Sequence, residues 1–160
     1  MRSFALSVWM VGASVAGLVS GLSGQVSLTL TQTPSVFPAP VLADFNAGVI
    51  AEPTGILFTV AVTGGPANVF RTTTVAIRAS SATLGGGKLL SDLEWRRADL
   101  GTWNPMTTTD AAIESRQQKK NGTNDPWSNT VFLRMQLTWA TDAPGTYTTG
   151  LVFTLTVTTP

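Results

Sequence analysis

Cysteine and histidine are both missing from the 160 residues. Without them there is no imidazole base, no thiolate nucleophile and no nitrogen or sulfur metal site. Serine-type triads, cysteine proteases and ordinary zinc enzymes are excluded together. No disulfide can staple the fold, so packing alone must hold it. Charge is also scarce: only 12% of the residues are Asp, Glu, Lys or Arg, and the formal net charge is +1. Phosphate recognition needs clustered Lys and Arg, so neither nucleic acid nor an anionic lipid surface is an expected partner.

Carboxylates are the remaining acid–base groups, and a glycosidase would need two facing each other across a cleft. Asp92 and Glu94 are two apart and share a face if extended, but Arg96 continues that row, as a solvated, charge-compensated face does. Asn121, Asn124 and Asp125 offer oxygens on a loop without the spacing of a calcium hand. "RQQKK", Arg116–Lys120, reads as a solvated loop. The expectation is a chain with no catalytic residue, cofactor or metal.

The first 24 residues read as an export signal. Met1-Arg2-Ser3 is a short positive start, Phe4 to Val19 is apolar apart from small residues, and Ser20-Gly21-Leu22-Ser23-Gly24 supplies a small-residue exit. Cleavage is expected between Gly21 and Gln25, releasing a protein to the periplasm, cell surface or medium. The alternative is an uncleaved membrane anchor, since Phe4 to Leu22 nearly reaches the ~20 apolar residues that span a bilayer.

Residues 25–160 read as one domain of alternating strands. Val26, Leu28 and Leu30 share a face in the first strand, and Ile56, Phe58, Val60 and Val62 in the second. Between them "TPSVFPAPVLADFNAG" carries Pro34, Pro38 and Pro40 and is expected to run as an extended connector. A strand over Val69–Arg78 precedes the glycine loop "SSATLGGGK". Leu89, Leu93 and Trp95 share a face of a hairpin arm, and "TWNPMTTT" runs back with Trp103. Asp110–Lys120 is expected as a loop or a short helix. Thr130–Trp139 is a strong strand and Tyr147–Thr158 the last, with Tyr147, Thr149, Leu151, Phe153, Leu155 and Val157 on one side. About seven strands broken by Gly, Pro, Asn and Asp predict an all-β, antiparallel sandwich; a closed barrel fits the same string. Trp103 and Trp127 fall in or beside turns, where they either cap the core or present a face to a sugar or protein partner.

"DAPGTY", Asp142 to Tyr147, resembles the tyrosine corner of immunoglobulin-like sandwiches, and the whole arrangement is similar to bacterial secreted and cell-surface β-domains. The resemblance implies a non-enzymatic structural, adhesive or pilus-like subunit in which Tyr147 fixes the corner before the penultimate strand. The chain would then stop one strand short, and an outside strand would fill the gap; the alternative, which the single corner motif favours, is that Tyr147–Thr158 is the last strand of a complete sandwich. Val26, Leu28 and Leu30 have the alternation to fill such a gap, within their own chain or in a neighbour, which makes self-association or a protein partner the expectation. The chain departs from such domains in lacking their usual disulfide. Two other readings stand beside it: a carbohydrate-binding module using Trp103 or Trp127, and an accessory subunit of a larger complex held to a membrane by an uncleaved leader.

Overall fold

In an extended chain successive side chains point to opposite faces, so each alternating stretch needs a partner sheet to receive its apolar side. The computed structural model describes residues 25–31, 37–142 and 147–159, and the strands it contains obey this rule. They are β1 (Val26–Thr31), β2 (Val49–Ala51), β3 (Ile56–Val62), β4 (Arg71–Ala79), β5 (Leu93–Arg97), β6 (Asn104–Pro105), β7 (Ala111–Gln118), β8 (Trp127–Gln136) and β9 (Leu151–Thr158). The leader expected over residues 1–24 lies outside the described residues.

The protein is all-β, and its strand pairs are antiparallel. One sheet runs β1-β3-β8-β5-β6, with β2 pairing the far end of β8; the other runs β7-β4-β9. Ile56, Phe58, Val60, Val131, Leu133 and Leu93 from the first sheet and Val75, Ile77, Leu151, Phe153 and Leu155 from the second form one buried cluster. Two antiparallel sheets sharing a core make the layered arrangement that the alternation predicts. The two sheets meet where Arg97 Nη1 on β5 donates to the Ile113 carbonyl on β7 at 3.1 Å.

Three expectations need correction. Within the proline-rich connector, Leu42–Ala47 forms a short helix, α1. Asp44 accepts the Val41 N–H at 2.8 Å, and Gly48 ends the helix at φ 72°, a conformation open to glycine at little cost. The prolines precede this turn and do not obstruct it. Ala111–Gln118 is strand β7, not loop or helix: seven of its residues pair with β4, while Ile113 is the extra residue of a bulge between the Glu114 and Ala112 pairings. That insertion breaks the two-residue period, which is why the strand is hidden from a pattern search. Finally, the turn of 3₁₀ helix at Leu90–Asp92 buries Leu90 and leaves Leu89 64% exposed, so Leu89 does not share the inward face of Leu93 and Trp95.

Candidate functional site

β1 is an edge strand. All six of its residues pair with β3, from Val26↔Val62 to Thr31↔Leu57, and no other described strand pairs with it. Val26 is buried, but Leu28 and Leu30 are only half-buried, whereas their neighbours Val60 and Phe58 on β3 are fully enclosed. The difference follows from sheet width: three strands cannot cover a five-strand path, and the uncovered margin falls at β1.

β9 is the matching feature of the other sheet. Its partner among the described residues is β4, in register from Thr72↔Thr158 to Ala79↔Leu151. Its inward face, Leu151, Phe153, Leu155 and Val157, is buried, while the outward Thr156 and Thr158 are exposed.

The two tryptophans separate. Trp127 opens β8 inside the core at 3% exposure, edge-on to Phe58, and its Nε1 donates to Thr73 Oγ1 at 3.2 Å. It offers no free face, so of the two expectations for it the core role stands and ligand contact falls; the strand it begins draws the ring inward, which a turn would not. Trp103 is half-buried on the outer face, with the Arg96 guanidinium 5.0 Å and that of Arg134 4.5 Å from its ring centroid. Phe132 continues the row on the other side of Arg96 at 5.3 Å, and Arg134 is bound in turn by Glu94 at 2.6 Å. Such cation–aromatic contacts stabilise a sheet face by ~0.5–1 kcal/mol each when exposed.

Asp92 and Glu94 do not converge. Glu94 accepts from Arg134 and from Gln136 Nε2 at 2.7 Å, while Asp92 pairs with Lys88 at 3.2 Å. Arg97 binds Asp99, whose carboxyl it holds well below the usual carboxylate range. Asp125 is used structurally, accepting the N–H groups of Val62 and Asn121 at 2.8 and 2.7 Å. Among the described residues no group of acidic side chains is arranged to hold a metal. Arg116, at the end of β7, pairs with Glu114 and stacks over Trp127 at 5.1 Å, and Lys119 lies 5.3 Å from the Phe70 ring centroid, so "RQQKK" is partly a strand end.

Tyr147 is buried at 7%, its ring against the backbone of Gly86 in the glycine loop. Burial pushes its phenol up, the nearby Asp142 adds to this, and Lys88 opposes it. Ala143–Thr146, the middle of the resembling corner, lie outside the described residues. Sequence reading missed the importance of Lys88 and Asp142: their side chains, 3% and 6% exposed, meet at 2.7 Å across 54 residues of chain. A lone lysine behind three glycines in a poorly charged chain was the available signal.

No family model matches the chain, and neither the curated proteins nor the solved structures contain a match to it. No helix among the described residues is long and apolar enough to cross a membrane.

Proposed function

We propose that the protein is a non-enzymatic, exported structural or adhesive subunit that associates by strand addition along β9. The observation that carries this reading is the topology. An immunoglobulin constant-type sandwich orders its sheets ABED and CFG. Taking β1, β3, β4, β5, β8 and β9 as A, B, C, D, E and F reproduces the ABED order and the C–F pairing. Tyr147 then precedes strand F, as the corner motif requires, and no described strand takes the place of G beside β9. The position of G is beside β9 and over β1, where Leu28 and Leu30 are half-covered. β7 has no counterpart in that scheme and occupies the opposite edge of β4.

The occupant is the β1 segment of a second copy, whose Val26, Leu28 and Leu30 repeat at the spacing that fills alternate pockets of a groove. Donor and acceptor surfaces differ, so the contact is head-to-tail and propagates. Export rests on the apolar leader and its small-residue exit. The carbohydrate-binding alternative keeps Trp103 alone, with two guanidinium groups already on its ring.

The absence of native cysteine allows a clean test. Ser27 and Ala61 are directly opposed, so a Ser27→Cys, Ala61→Cys double variant can lock β1 onto its own β3. Light scattering should show concentration-dependent assembly for the wild type and for the reduced variant, and monomers for the oxidised one. A wild type that stays monomeric at every concentration contradicts the proposal.

A further inference from the structure

Arg71 opens β4 and is fully buried. A guanidinium keeps its charge in any folded protein, so enclosing one calls for a carboxylate or for acceptors on its N–H groups. Among the described residues no carboxylate pairs with it. Nη1 donates to the Val69 carbonyl at 2.9 Å, Nη2 donates to Gln25 Oε1 at 3.0 Å, and Nε has no partner. Val69 is local, two residues back, whereas Gln25 stands just before β1, 46 residues away in sequence. The Gln25 bond therefore ties the edge strand of one sheet to the central strand of the other. The turn after β3 is shaped around this contact. The Thr63 and Gly64 N–H groups donate to the Gln25 carbonyl at 2.8 and 3.1 Å. Gly65 has φ 81°, and a Cβ there would strike both Gln25 Oε1 and Arg71 Nη2, so glycine leaves the room the bond needs. Past Gln25, β1 is lightly held: it pairs with β3 alone among the described strands, and Leu28 and Leu30 are half-buried.

From this arrangement we propose that the bond between Arg71 and Gln25 is the latch of β1: while it is made the strand stays on β3, and when it breaks β1 is released. The coupling follows from burial. A hydrogen bond from a charged donor is stronger than a neutral one, and losing it inside the protein would leave a second guanidinium N–H unpaired beside Nε. Detachment of Gln25 is therefore tolerable only if water reaches Arg71, and the segment that must move to admit it is the start of β1. A neutral amide as acceptor keeps the latch releasable, since a carboxylate in its place would bind the guanidinium much more tightly. The latch governs the strand that the assembly reading makes the donor, and its role in assembly rests on that reading. Its control over β1 within one subunit does not.

Residue-resolved amide hydrogen exchange on the exported protein, diluted until it is monomeric, tests the proposal. In Gln25→Ala the β1 amides paired with β3 should exchange about tenfold faster than in the wild type, or more, while those of Val131 and Leu133 in β8 keep their rates. Gln25→Glu places a carboxylate on Arg71 and should slow the same β1 amides by a similar factor. Unchanged β1 exchange in either variant overturns the latch. Equal acceleration of β1 and β8 in Gln25→Ala overturns it too, because the bond then supports the whole fold and not one strand. Light scattering on the same proteins separates the latch from the assembly: Gln25→Ala should assemble at lower concentration than the wild type and Gln25→Glu at higher. The expected exchange rates with no assembly by any variant keep the latch and remove strand addition. Assembly with exchange unchanged in both variants removes the latch and keeps strand addition.

Discussion

Polar residues inside this sandwich are held by bonds that a hydrophobic pattern does not display. Thr73, fully buried on β4, accepts from Trp127 Nε1 at 3.2 Å and Gln118 Nε2 at 3.0 Å and donates to the Arg116 carbonyl at 3.2 Å. Arg71, also fully buried, donates to the Val69 carbonyl and to Gln25 Oε1. Each occupies an inward position that alternation alone assigns to an apolar side chain, so this end of the core was illegible in the sequence. Tyr147 is a simpler case, because an inward position in the row Tyr147, Thr149, Leu151 already predicted its burial. It is the sole tyrosine, so an ultraviolet pH titration reads it directly. The neutral phenol is favoured by burial, so its midpoint should lie above the ordinary 10.0. The corresponding stability is fully present below the unfolded-state pKa and is lost as pH rises through the folded one. A midpoint at or below 10.0 would show that the ring is solvated.

Among the elements, those with an unbroken two-residue period were legible. β3 and β9 appear where Ile56, Phe58, Val60, Val62 and Leu151, Phe153, Leu155, Val157 place them, and the β5–β6 hairpin pairs Trp95 with Asn104. Elements governed by a local device were not. A bulge at Ile113 hides β7, and a capping carboxylate and a left-handed glycine make α1 out of a segment read as extended. The turn between β2 and β3 is another such device. Glu52, buried at 4%, accepts from Thr54 N at 3.0 Å and from the Gly55 N–H. Gly55 has φ 73°, and a Cβ there would meet Thr130 Cγ2 at 2.6 Å and the Phe132 ring at 3.0 Å. Gly55→Ala combines an unfavourable φ with a clash and should destabilise the fold by more than about 1 kcal/mol, measured by urea unfolding. An unchanged midpoint would show that the turn relaxes without cost.

For the whole molecule, the sandwich was readable because its two sheets bury complementary faces, and strand order was not, because alternation carries no information about which strands are neighbours. The candidate site divides in the same way. The strand that carries Val26, Leu28 and Leu30 was legible because its alternation is regular; Lys88 and Asp142 meet through loops and leave almost no trace in local sequence. In the proposed assembly, β9 presents an open edge in the single subunit and a paired edge between subunits. An unpaired strand edge leaves alternate N–H groups without a sheet partner, and such groups exchange with solvent rapidly. Residue-resolved amide hydrogen exchange on β9 is therefore the most direct test. In the isolated subunit, protection should alternate along Leu151–Thr158, with the N–H groups turned away from β4 exchanging fast, and in the assembly both sets should become slow. Uniform protection of β9 in the monomer, or fast exchange persisting in the assembled form, would contradict the account.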